Sequence, residues 1–203
     1  MTLKLYHCRG ARSLRPLWTL EEMGLPYELE VMEFPPRFRR ENYLAVNPLG
    51  TVPALTDGDL TLTESAAICQ YLVDCRGPSE LGLMPQDKEY GLYLNWLHRS
   101  DATLTFPQTI VLRYTQFEPP ERRLKQAAED YTQWFFARLR CVEEATATRE
   151  YLCADRFTIA DICVGYALVL ADTLGLSAGF KPNTEAYYRR LTARPAFQRA
   201  AAL

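Results

Sequence analysis

The chain has 203 residues, 48% of them hydrophobic and 24% charged, and its 23 lysines and arginines against 25 aspartates and glutamates leave a net charge of −2. That length buries one large core or two modest ones, and the near-neutral balance excludes the basic footprint of a nucleic-acid or anionic-membrane binder. Six scattered cysteines without a C-x-x-C pair, beside only His7 and His98, offer no metal-ligand spacing.

The first residues carry too short an apolar run before their arginines for a secretory signal, so a cytoplasmic location is expected. Leu3 to His7 reads as a strand. Apolar residues at 14, 17, 18, 20 and 23 recur at helical spacing, with Gly24 placed as a C-terminal cap and Pro26 just beyond. Pro16 falls in the first turn of that helix, where its missing N–H costs little. Residues 27–34 read as a second strand, and 35–48 as a short helix or irregular loop. Residues 52–56 and 60–63 alternate in polarity around Asp57-Gly58-Asp59, which signals a hairpin. A helix follows, with Thr63 or Ser65 as its N-cap and Gly77 as its stop. The order β-α-β-α-β-β-α makes an α/β unit of residues 1–78.

Residues 76–86 are rich in proline, glycine and polar side chains and read as a linker. Beyond them strand signals cease. Residues 87–104 and 119–147 are long amphipathic helices, and Pro107 is placed to kink the first of these as it continues. Thr158-Ile-Ala-Asp161 has the pattern of a capping box with Asp where Glu is usual. The apolar stretch it opens, 159–176, contains Asp161 and Asp172 and so reads as a buried helix, not a membrane span. Residues 87–203 are thus expected to be all helical.

Five segments in order, "LEEMGLPYE", "NPLGTVPAL", "LTESAAICQYL", "FTIADICVGYAL" and "RPAFQRA", resemble the soluble glutathione S-transferases over nearly the whole chain. The resemblance implies a thioredoxin-like N-terminal domain, 1–78, that binds glutathione, and an all-helical domain, 87–203, that contributes the electrophile pocket. It implies glutathione as co-substrate with no metal, a small hydrophobic electrophile, and a homodimer, with no nucleic-acid or membrane partner.

It also implies roles for residues. A cis Val52-Pro53 bond would present the Val52 N–H and C=O to the cysteinyl backbone of glutathione, as an added strand. Twelve residues on, Glu64 would hold the γ-glutamyl ammonium, while Ser65 and the free amides of the helix start receive its carboxylate. A serine as a plain helix cap, and Val-Pro as a plain strand entry, are the other readings of these residues. A donor for the thiolate belongs between the end of the first strand and the first turn of helix one. There the chain departs from the family, with Ala11 at the usual serine position and Arg12 at the beta-class cysteine position. Ser13 is the first candidate and Tyr6 the second, an N-cap serine and a core tyrosine being their other readings. Arg12 or Arg9 would act by charge. Cys8 suggests an alternative, a glutathione-dependent disulfide reductase or peroxidase, and a non-catalytic binding protein of the same fold is a third possibility. Thr51 stands where many members carry a cation, so Arg37, Arg39 or Arg40 must supply one to the glycine carboxylate. Phe106, Arg113 and Tyr114 are electrophile-pocket candidates by position.

Overall fold

The computed structural model describes residues 2–203. Of the described residues, the first compact unit comprises 2–82 and 192–203, and the second 83–191. In the first unit, β1 (Leu3–His7) alternates buried and half-buried side chains, as the period of two requires of a strand with one core face. The helix α1 (Leu14–Met23) carries the crossover to β2 (Tyr27–Val31), which pairs parallel with β1 from Leu3↔Tyr27 to His7↔Val31. Gly24 ends α1 in the left-handed region, φ 61°, and its N–H reaches the Leu20 carbonyl.

Strand β2 ends at Val31, three residues before the sequence expectation. Met32 N–H still donates to the His7 carbonyl at 2.8 Å, but Pro35 and Pro36 have no N–H to extend the ladder. The stretch 35–48 forms two short helices, α2 (Pro36–Arg39) and α3 (Tyr43–Val46). Strands β3 (Ala54–Asp57) and β4 (Leu60–Leu62) form the expected hairpin, and β3 pairs antiparallel with β1, giving the sheet order β2-β1-β3-β4. Helix α4 (Ser65–Cys75) packs on α1 and buries Ile68, Cys69 and Leu72. Neither expected cap holds: Glu64 occupies the N-cap, and no side chain caps the first amides.

In the second unit, α5 (Tyr90–His98) runs on through wide π turns at Arg99–Thr105 into α6 (Phe106–Leu112). The break expected at Pro107 appears as this widening. Pro107 offers no N–H to the Thr103 carbonyl, and the Thr105 hydroxyl donates to the Ser100 carbonyl at 2.6 Å across the wide turn. Next come α7 (Lys125–Thr146) and α8 (Ile159–Thr173), which is buried from Ile159 through Leu168. The capping box is present: Ala160 N–H donates to Thr158 Oγ1, and Asp161 Oδ2 accepts from Thr158 N–H at 2.8 Å. Asp161 Oδ1 also accepts from Leu152 N–H at 3.0 Å and from the Tyr187 hydroxyl at 2.8 Å. Burial pushes this carboxyl up to about 6, against the pull of those hydrogen bonds. Among the described residues no helix is long and apolar enough to cross a membrane.

Helix α9 (Pro182–Thr192) precedes α10 (Pro195–Ala202), and α10 departs from the expected all-helical segment by grouping with the α/β unit. Phe197 meets the buried Trp18 edge-on at 4.8 Å. Arg194 forks onto Glu22 at 2.6 and 2.9 Å, and Arg199 reaches Glu21 at 2.6 Å. A buried aromatic pair with bidentate charge-assisted bonds outweighs nearness in sequence to the preceding helices.

Candidate active site

Strand register brings the site together. The antiparallel β3–β4 ladder pairs Leu55 with Leu62, so Val52-Pro53, just before β3, and the start of α4 at Glu64 and Ser65, just after β4, leave the hairpin at the same end. The β1–β3 ladder pairs Tyr6 with Ala54, so its continuation sets Val52 opposite Cys8. The Val52-Pro53 peptide bond is cis. The Val52 side chain is buried with Cys8, Met32, Tyr43 and Ala54, and Tyr6 and Ala11 pack on the same cluster. Its backbone N–H and C=O lie beyond the end of the ladder and meet no partner among the described residues.

The chain just before Val52 is pinned. Buried Tyr43 donates its hydroxyl to the Thr51 carbonyl at 2.7 Å, and buried Asn47 donates Nδ2 to the same carbonyl at 2.8 Å. Asn47 Oδ1 accepts from Leu49 N–H at 3.1 Å. Gly50 sits at φ +62°, and a Cβ there would lie 2.6 Å from Arg37 Cβ, so only glycine fits this turn. Thr51 is exposed, with its carbonyl and hydroxyl both held by Asn47.

Glu64 is exposed at the N-cap of α4, and Ser65 is buried in the first turn. The amides without a side-chain cap and the helix dipole give this end a partial positive charge, which suits an anion. Ser65 Oγ accepts a hydrogen bond from Arg15 Nη1 at 3.0 Å.

The turn before α1 holds the first candidate for thiolate donor inside the protein. Ser13 is fully buried, and its hydroxyl accepts from Cys8 N–H at 3.2 Å and donates to the Cys8 carbonyl at 3.3 Å. It clamps the turn: Ser13 occupies the N-cap position of α1, but its side chain caps no amide of the helix. Cys8 is fully buried and burial pushes its thiol up to about 11, which disfavours the thiolate that a nucleophile needs. His7 is buried as well and pushed down to about 4, by burial first, with Arg9 adding and a backbone bond with Ser13 opposing. Arg12 is half-buried in the same turn. Tyr6 is half-buried, its ring tilted against Tyr43 at 5.7 Å and covered by Lys4 Nζ at 4.9 Å.

Arg39 is exposed and, with Arg9, Val31, Met32, Glu33 and Phe34, lines an open cleft of about 520 Å³. Met32 belongs to the Val52 cluster, so the cleft borders it. Arg40 is tied to Glu30 at 2.5 Å, and the Arg37 guanidinium lies over the Phe38 ring at 4.7 Å.

Of the three electrophile-pocket candidates, Arg113 and Tyr114 meet, the guanidinium over the ring at 5.6 Å, while Phe106 packs against a different ring. Phe106 is exposed and meets Tyr131 edge-on at 6.2 Å. Arg113 pairs with Glu118 at 2.8 Å, and Tyr114 lines a separate cavity with Val111, Ala128 and Leu174. Sequence reasoning passed over Tyr43, Asn47 and Arg15, the groups that hold Thr51 and Ser65. Arg15 carried a signal, a charge on the apolar face of an amphipathic helix, which folds only with a partner.

Comparison with known proteins agrees with this geometry. Residues 1–74 match the family model of the glutathione S-transferase N-terminal domain, and residues 108–195 that of the C-terminal domain. The chain is 30% identical to glutathione S-transferase GstB of Escherichia coli K12, over 90% of this chain and 89% of the relative. It superposes on a glutathione transferase from Methylococcus capsulatus with a TM-score of 0.85 and 31% identity, covering 99% and 98% of the two chains. A sphingomonad glutathione S-transferase complexed with glutathione gives a TM-score of 0.86 at 27% identity, covering 98% and 97%. A thioredoxin-like sheet unit, the helical unit after it and these matches place the chain in the glutathione S-transferase family.

Proposed function

We propose that this protein conjugates the thiolate of glutathione to a small hydrophobic electrophile. The observation that carries the reading is the convergence of the unpaired Val52 backbone with the uncapped start of α4 and the Ser65 hydroxyl, all set by one hairpin register. Residues 1–78 form the glutathione-binding domain. Val52 pairs with the cysteinyl backbone beside Pro53, Glu64 holds the γ-glutamyl ammonium, and Ser65 with the α4 amides holds the carboxylate. Arg39, which lines the open cleft with Arg9, answers the glycine carboxylate. With Ser13 turned inward, stabilisation of the thiolate falls to Arg12 by charge or Tyr6 by its hydroxyl, aided by the N-terminal end of α1. Helices after residue 87, with Phe106, Arg113 and Tyr114, contribute the electrophile pocket.

A thiolate held beside an electrophile needs little further chemistry, because free thiols near 8.5 are mostly protonated at neutral pH and orientation supplies much of the rate. The proposed protein is cytoplasmic and a homodimer, as is usual in its family. Retention on immobilised glutathione, with turnover of a chromogenic aryl halide, tests the function. Retention with no turnover on any electrophile leaves a binding protein, and no retention removes the reading. Arg12→Gln and Tyr6→Phe, read as thiolate absorbance against pH, separate the two activators.

A further inference from the structure

Arg15 lies in the first turn of α1 and is 0% exposed, among Leu14, Pro16, Leu17 and Trp18. A buried guanidinium needs hydrogen-bond partners, and one of its partners is Ser65 Oγ, 50 residues away at 3.0 Å. The Thr19 hydroxyl donates to the Arg15 carbonyl at 3.0 Å and fixes the turn that carries it.

The chemistry of the pair is directional. A guanidinium only donates, so Ser65 Oγ is the acceptor in this bond and keeps its own proton to give. Ser65 is 3% exposed, yet its hydroxyl donates to no group among the described residues. A buried donor without an acceptor, in the first turn of an eleven-residue helix with no side-chain cap, points to an anionic acceptor from outside the chain.

We infer that Arg15 is a positioning residue for the γ-glutamyl α-carboxylate of glutathione, acting through Ser65. It turns the Ser65 proton toward the carboxylate and sets a fixed positive charge behind the amide end of α4. The inference rests on the glutathione-binding reading above. Because the charge is screened from water by the protein, it acts on an anion at that helix end more strongly than a surface arginine would.

The test compares two ligands by calorimetry: glutathione, and γ-aminobutyryl-cysteinylglycine, which lacks only that carboxylate. Arg15→Gln is expected to weaken glutathione about 10- to 100-fold, the range for a lost hydrogen bond to a charged group. The analogue is expected to bind wild type and variant alike. In turnover, Arg15→Gln raises KM for glutathione more than it lowers kcat, and Arg15→Lys recovers part of the loss. Arg15 has further partners in the chain, so its replacement also perturbs packing. A second measurement therefore uses the wild type: the Arg15 guanidinium N–H resonances shift on adding glutathione and stay in place with the analogue. Equal penalties on both ligands, no penalty on glutathione, or resonances unmoved by bound glutathione overturn the role of Arg15 and leave the glutathione site standing. Wild type that binds no glutathione overturns both.

Discussion

Asp161→Ala tests the physical account of the helical unit most severely. Asp161 is fully buried and accepts from Leu152 N–H, Thr158 N–H and the Tyr187 hydroxyl, at 3.0, 2.8 and 2.8 Å. Alanine removes the acceptor and leaves these three buried donors orphaned, at about 1–3 kcal/mol each, while the Thr158 hydroxyl, the fourth donor to this carboxylate at 3.1 Å, keeps the Cys153 thiol as a partner. The sum is roughly 3–9 kcal/mol, and water entering the vacated carboxylate volume satisfies some of the donors, so about 4 kcal/mol is expected. For a chain of this size each kcal/mol moves the midpoint by about 2–4 °C, so the helical unit should melt about 8–16 °C lower. Thermal unfolding followed by far-ultraviolet circular dichroism reads this directly. The folded carboxyl lies near 6, above its ordinary 3.8. Its contribution to stability is therefore fully present below 3.8 and declines as pH rises through about 6, so the gap between wild type and variant is wider at pH 5 than at pH 8. A midpoint shift under about 3 °C would refute the claim that one carboxylate ties the loop at 152, the start of α8 and α9 together.

His7 gives a pH test of the α/β unit. Its folded value of about 4 lies below the ordinary 6.5, so its contribution is complete above 6.5 and about 3 kcal/mol is lost as pH falls toward 4. Urea titrations of His7→Gln should lack that part of the acid slope, and parallel curves for the two proteins contradict it. Cys8→Ser is expected to keep more than half of the transferase activity, while mass spectrometry finds exposed Cys75 alkylated before Cys8. Activity abolished in Cys8→Ser with glutathione binding intact would restore the thiol to the mechanism. Ser65→Ala should weaken glutathione about 10- to 100-fold in calorimetry, and Glu64→Ala combined with it further still; an unchanged affinity defeats the assignment of that helix end.

The sequence alone determined what is encoded locally. The Asp57-Gly58-Asp59 turn between alternating runs set the hairpin, and with it the twelve-residue interval from Pro53 to Ser65 that the register turns into a site. Thr158 and Asp161 announced their capping box because a cap is made by residues three apart, and Gly24 announced the end of α1 because few residues adopt its positive φ. What only the tertiary structure decided depends on partners distant in the chain. Ser13 and Ser65 look alike in sequence, each a serine at a helix start. One is turned inward onto Cys8, and the other is held by an arginine 50 residues away with its proton left to give. Helix α10 could be foreseen as a helix but not as part of the α/β unit, because its place rests on Trp18, Glu21 and Glu22. Local propensity fixes an element within a few residues of chain, whereas the direction in which a buried polar group points is set by whichever donor or acceptor packing brings to it.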